Sequence, residues 1–301
     1  MIADLASERI DFYDSINKSL VQTKVNTFHK EGKTKCLKYL SNKFVASCSN
    51  DSTISIWDPT TWKLIFNYTN HTDEVNSLDQ IDAGKMVSGS NDGTIQIWKI
   101  SSGETLKKIN VNIWINSVRV LLSSSLQLIA CGCLDVRNNL RIYNYTSGDL
   151  VKILNGHTAY VNAIEVLSNT SMASGGNDNK VIIWDLSTYS IKYTLVRHKY
   201  AIHCIKQLSS SLVASGDKEG SIIIWNWLKG DIVNILSGHA STLSFNSLDL
   251  FDERTLISGS WDKTIKFWNI SSGQLIQSIN VNISISSLVM LKKSEFILKK
   301  I

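Results

Sequence analysis

The feature that most limits what this chain can become is a phrase that keeps returning along it. A small-residue step leads into a polar turn, then an apolar alternation, then an aromatic, as in Val87-Ser-Gly-Ser-Asn-Asp-Gly-Thr-Ile-Gln-Ile-Trp98. Copies lie over 46–57, 173–184, 214–225 and 257–268, with a weaker one over 130–143. The closing aromatics are Trp57, Trp98, Tyr143, Trp184, Trp225 and Trp268, spaced by 41, 45, 41, 41 and 43 residues. A steady period of that length marks a chain of stacked units, none able to bury its own apolar faces alone.

Each period divides into four short runs separated by turn residues. In the fourth period they fall at 161–166, 172–174, 180–184 and 191–195, and their alternation and β-branched content predict strands. Asn-Asp-Gly and Asn-Asp-Asn mark tight turns between two of them. Helical periodicity is absent from the repeats. Four-stranded units of this kind bury their faces by stacking radially.

The phrase resembles the WD40 repeat, and the resemblance covers the chain from about residue 19 onward. It implies an all-β, seven-bladed WD40 β-propeller with six blades clear. The seventh is expected to be incomplete, with a first strand over 283–291, a short second strand near 295–298 and no third strand. An N-terminal strand over 19–28 is expected to close it, since open sheet edges invite aggregation. Residues 1–18, with apolar side chains at 2, 5, 12, 13 and 16, are expected to be a helical or flexible extension to a propeller over 19–301.

The resemblance also implies a buried tetrad of His, Ser, Asp and Trp in most blades. The matching residues are His29, Ser47, Asp51 and Trp57 in the first blade, and His71, Ser88, Asp92 and Trp98 in the second. The fourth blade has His157, Ser174, Asp178 and Trp184; the sixth has His239, Ser258, Asp262 and Trp268. The fifth departs, with His198, Ser215, Glu219 and Trp225. A buried carboxylate is costly unless its lone pairs are filled, so such residues travel together. The expected filling is a His N–H and a Ser hydroxyl on the carboxylate, with the His accepting from the indole. The third blade lacks the His, carries Cys131 in place of Ser and has two extra residues before Tyr143, so no tetrad is expected there. The seventh also lacks the His.

Composition adds exclusions. A formal charge of +5 over 301 residues, with basic residues scattered, does not point to nucleic acid. No apolar run approaches the roughly 20 residues of a membrane span, and the first ten residues form no secretory signal. Five cysteines, an odd set in apolar contexts, are expected as reduced core residues of a cytoplasmic protein. Cys131 and Cys133 suggest half a metal site, but no second pair accompanies them, so core packing is expected. Phosphate-loop, nucleophile-elbow and zinc-protease patterns are absent, and no charged cluster around a central channel is apparent. The reading assigns no catalytic residue, metal or cofactor. Glycines are assigned to turns needing positive φ.

What remains is binding to other proteins or peptides, with neither nucleic acid nor membrane as partner and the oligomeric state open. The resemblance places the residue before the tetrad Asp on a top face: Asn50, Asn91, Leu134, Asn177, Lys218 and Trp261. The residue before strand one joins it there: Lys33, Glu74, Trp114, Tyr160 and Ala201. Trp261, Trp114 and Tyr160 are the most telling, because large aromatics anchor interfaces and the repeat gives them no core duty. The expected function is a non-catalytic interaction scaffold. The alternative is a substrate-recognition or targeting module of a ubiquitin ligase or kinase whose catalytic part lies elsewhere. Trp57-Asp-Pro59 and Trp184-Asp-Leu186 lack the basic residue two places on that some ligase adaptors carry.

Overall fold

A computed structural model of the chain describes residues 2–6, 9–13, 20–25, 29, 34–61, 63–121, 126–135, 139–240, 243–281 and 284–291. Every regular element in these residues is a β-strand, and the strands form seven four-stranded antiparallel sheets. Six sheets are consecutive in the chain, from Thr34–Tyr39 through Leu275–Asn280. Neighbouring sheets meet through their first strands, and Ser287–Met290 of the last lies against Thr34–Tyr39 of the first, closing the ring.

Burial follows strand position. Second strands such as Val45–Ser49 and Ser171–Gly176 are buried at every residue, whereas fourth strands such as Asp231–Leu236 are mostly exposed. The core therefore lies between blades. Trp57, Trp98, Trp184, Trp225 and Trp268 are the largest fully buried side chains and anchor it. The Gly of the recurrent Ser-Gly step belongs to this packing and not to turns, contrary to the sequence reading. A Cβ on Gly89 would stand 2.7 Å from the Ile115 methyl of the next blade, and on Gly259 2.5 Å from that of Ile285. The next blade's Ile needs the space a side chain would fill.

The seventh sheet corrects the expectation for the termini. Its order is Ser287–Met290, Ile2–Ala6, Arg9–Tyr13, Leu20–Val25, so the C-terminal side supplies one strand and the N-terminal side three. Strands Ile2–Ala6 and Arg9–Tyr13 thus pair with each other, Ala6 opposite Arg9 and Leu5 opposite Ile10, where a helical or flexible extension was expected. The third strand, expected to be missing, is present as Arg9–Tyr13, taken from the other end of the chain. Ring closure is the physical reason: the pair finds a partner strand on each side, which a detached helix would not. The signal was available, since Tyr13 precedes Trp57 by 44 residues, one more repeat period. The short strand expected near 295–298 lies outside the described residues.

Two cysteine readings also change. Cys36 and Cys48, directly opposite on adjacent strands, are joined as a disulfide with Cα atoms 5.3 Å apart, so they are not both free thiols. Cys131 and Cys133 share one face of their strand, as residues two apart must, with sulfurs 3.7 Å apart. Both are buried, as is Cys204, whose thiol is pushed up to about 12 by burial. No helix among the described residues is long and apolar enough to cross a membrane.

Candidate functional site

Three arrangements in this ring gather polar chemistry: the tetrads, the lower end of the central channel and the top face.

The tetrads exist, wired differently from the expectation. In blade two the Trp98 indole N–H donates to Ser88 Oγ at 2.7 Å, and Ser88 Oγ lies 2.7 Å from His71 Nε2. His71 Nδ1 lies 2.7 Å from an Asp92 carboxylate oxygen, and the Thr94 hydroxyl donates to the other at 2.7 Å. The serine oxygen, not the histidine, accepts from the indole, and threonine, not serine, fills the carboxylate. With Asp92 ionised, the network assigns the proton to Nδ1, leaving Nε2 to accept from the serine hydroxyl. Blades four and six repeat the indole–serine–histidine–aspartate wiring. In blade one His29 reaches Ser47 at 2.9 Å and Thr53 at 2.8 Å, with Asp51 at 3.4 Å. Burial alone would raise the Asp92, Asp178 and Asp262 carboxyls. Hydrogen bonds and charge from their histidines, together with threonine hydroxyl or backbone N–H donors, outweigh it and hold all three below the usual range. The same balance lowers Asp51 to about 2.

Blade five corrects the sequence reading. His198 Nδ1 pairs with Asp217 at 2.9 Å, while Glu219 is exposed and its backbone N–H donates to Asp217. Asp217 ends the second strand, in its buried row, so its short side chain already faces the histidine. Ser215 and Trp225 complete the tetrad as expected. Among the described residues of blade three no tetrad forms: Cys131 faces Cys133 instead.

Ser–His–Asp connectivity is also that of a hydrolytic triad. Here the serine is fully buried, its oxygen is engaged by an indole, and the motif recurs around the ring. A substrate has no path to it, so the arrangement is structural.

The lower end of the central channel holds charges that the sequence reading missed. A cavity of about 960 Å³ opens there, lined by the first strands of all seven blades. At one equivalent position each, successive blades contribute Lys38, Asp79, Arg119, Glu165, Lys206, Asp249 and Val289, so charge alternates in sign with one neutral member. Lys38 meets Asp79 at 2.7 Å, Arg119 meets Glu165 at 3.8 Å and Lys206 meets Asp249 at 2.8 Å, each across a blade boundary. Each acid also accepts a backbone N–H from the blade after it: Val120 on Asp79, Gln207 on Glu165, Met290 on Asp249. Seven is odd, so strict alternation requires one uncharged place; Val289 occupies it in the blade where the termini meet. The repeat period was the available signal, for these residues recur at one phase of it.

The top face brings most of the expected residues together. The residue that follows the second strand donates its N–H to the residue before strand one in four blades: Asn91 to Glu74, Leu134 to Trp114, Asn177 to Tyr160 and Lys218 to Ala201. Glu74, Asn91, Trp114 and Leu134 then line one cavity of about 150 Å³ with Lys35, Asn76 and Asn116. Asparagines the sequence reading passed over form its polar wall. Asn76 bridges to Asn91 at 2.7 Å and to the Ile115 carbonyl of the next blade at 2.9 Å, and Asn116 reaches Asn162 at 3.1 Å. Lys35 and Glu74 pair at 2.8 Å across it. Trp114 is 54% exposed and Trp261 53%, whereas Tyr160 is half-buried. Trp261 stands apart from the cavity, its carbonyl accepting from Ser284 of the seventh blade. Asn50 is half-buried, Asn177 and Lys218 are exposed, and Lys33 lies outside the described residues.

Comparison with known proteins agrees with this architecture. The family described as "WD domain, G-beta repeat" matches residues 22–58, 62–99, 148–185 and 230–269. The gap over 100–147 contains the first three strands of the tetrad-less third blade. Among curated relatives, the ribosome biogenesis protein YTM1 of Vanderwaltozyma polyspora is 24% identical over 65% of this chain and 28% of its own length. The E3 ubiquitin-protein ligase COP1 of Pisum sativum is 28% identical over 51% of this chain and 23% of its own. Cell division cycle 20.1, cofactor of APC complex, of Arabidopsis thaliana is 25% identical over 84% of this chain and 49% of its own. The chain thus spans half or less of the length of these relatives. The crystal structure of the computationally designed Ika8 protein superposes with a TM-score of 0.74 at 22% identity, covering 95% of this chain and 85% of that one.

Proposed function

This chain belongs to the WD40 repeat family, and from that premise we propose that it is a non-catalytic scaffold holding other proteins or peptides on its top face, in the cytoplasm. One observation carries the reading. Trp114 and Trp261 stand half in water on a rigid rim, and Trp114 borders a concavity that already gathers Glu74, Asn91 and Leu134. Indole area left exposed beside a preformed pocket is what interface anchors look like before a partner arrives. The lower charge ring offers the contrast, because its members are satisfied within the chain.

A second reading makes the propeller the recognition module of a ubiquitin ligase or kinase system. Its support is the naming of relatives as an E3 ubiquitin-protein ligase, a cofactor of APC complex and, at 26% identity, a p21-activated protein kinase-interacting protein 1-like of Danio rerio. Both readings use the same face.

The test is affinity capture with the intact chain and a Trp114→Ala/Trp261→Ala variant, with a thermal melt of each. Partners lost from a variant that melts like the parent support the platform; partners retained in full move binding off this face and reject it.

A further inference from the structure

We infer that the blade-five sector of the top face docks an acidic segment of a partner protein. The inference rests on the platform reading and names the chemistry of what sits there.

Blade five enters its first strand through Arg197, His198, Lys199, Tyr200 and Ala201 and turns between its second and third strands at Lys218. His198 is committed to its tetrad, whereas Arg197, Lys199 and Lys218 are exposed. None of the three has an ion-pair partner among the described residues. The loops are held together by backbone bonds rather than by charge. Lys218 N–H donates to the Ala201 carbonyl at 2.9 Å, and the Asn179 side chain of blade four donates to the Lys199 carbonyl at 3.0 Å. Lys199 and Lys218 are thus carried on loops bonded to their neighbours, with Arg197 two residues before Lys199. Glu219 is the one exposed acid in these two loops, since Asp217 is spent on His198. Tyr200, 47% exposed, stands among them.

Blade two shows the opposite sign at the equivalent loop. There Thr72, Asp73 and Glu74 replace Lys199, Tyr200 and Ala201, and among the described residues the cation in contact, Lys35, is neutralised by Glu74. Blade two lies three blades round the ring from blade five, so the top face is polarised across the channel mouth. A uniform basic coat would attract any polyanion. A basic sector facing an acidic one repels a long polyanion that crosses the face and favours a short acidic stretch lying on one side. The exposed aromatic gives such a stretch an apolar contact that charge alone does not supply.

The test uses the full chain and two fluorescein-labelled decapeptides, alternating Asp-Glu and alternating Lys-Arg, read by fluorescence anisotropy. The expected result is saturable binding of the acidic peptide, weakening at least tenfold between 50 and 200 mM salt as screening demands. A Lys199→Glu/Lys218→Glu variant that melts like the parent should lose at least tenfold in affinity, and the basic peptide should not bind that sector. Absence of acidic-peptide binding at 50 mM salt, equal binding by the variant, or tighter binding of a single-stranded RNA of the same charge overturns the inference. Its failure is separable from failure of the platform. Captured partners lost by the tryptophan variant but kept by the lysine variant leave the platform standing and remove the acidic partner; partners kept by both remove the platform.

Discussion

The two ends of the central channel are built from the same seven strands and treat charge in opposite ways. At the lower end, Lys38, Asp79, Arg119, Glu165, Lys206 and Asp249 alternate, and each acid takes both a cation from one blade and a backbone N–H from the next. At the top, Arg197, Lys199 and Lys218 are left to solvent and Trp114 and Trp261 half exposed. A polar group satisfied within the chain has little to gain from a ligand; one left unsatisfied on a rigid support has much. The difference separates side chains that hold the ring closed from those available to a partner.

That contrast can be broken most forcefully at Asp79. Asp79→Ala strands Lys38, takes one of two neighbouring acids from Arg119 and frees the Val120 N–H, and a loss of about 3 kcal/mol is expected from the urea midpoint. A loss under about 0.5 kcal/mol would show the ring to be ornamental. Next in size is Ser88→Ala, which takes the acceptor from the buried Trp98 indole and the partner from His71 Nε2. About 2 kcal/mol is expected, again from denaturant melts.

Acid should act on the tetrads. Asp51, Asp92, Asp178 and Asp262 all have carboxyls lowered in the fold from 3.8, Asp51 to about 2. A lowered carboxylate contributes stability that is complete above its unfolded value and is lost as pH falls through the folded one. Melting temperature should therefore drop from about pH 4 towards pH 2. His239 is shifted below 6.5 by burial, so its protonation penalty begins earlier, as pH falls through the unfolded value. A melt flat from pH 5 to 2 would contradict the ionised wiring. Smallest in stability should be Trp114→Ala, within about 0.5 kcal/mol of the parent, with its effect confined to partner capture. A large loss there would make Trp114 a packing residue and sharpen the contrast against the top face.

How much of this was legible varies by residue. The tetrads of blades two, four and six form with all their expected members because their donors and acceptors recur at fixed offsets. Glu219 was chosen by counting along the repeat, whereas reach and burial selected Asp217 two residues earlier. Trp114, Glu74, Asn91 and Leu134 were named from separate positions, and the fold brought them to one cavity. The charge ring was overlooked although it repeats in phase. Each member looks like an ordinary surface charge until seven strands converge and put neighbours of opposite sign within contact.

The sequence by itself determined the unit and its number: the period, the buried tryptophans, the Ser-Gly step and the tight turns are local requirements written into each repeat. Closure by an N-terminal strand was legible too, but tertiary structure decided how many strands each end of the chain brings to it. Three N-terminal strands complete the blade begun by Ser287–Met290, and Val289 takes the neutral place in the charge ring. Closure and charge pairing depend on which strand ends up beside which, and residues far apart in the chain acquire those neighbours only when the ring forms.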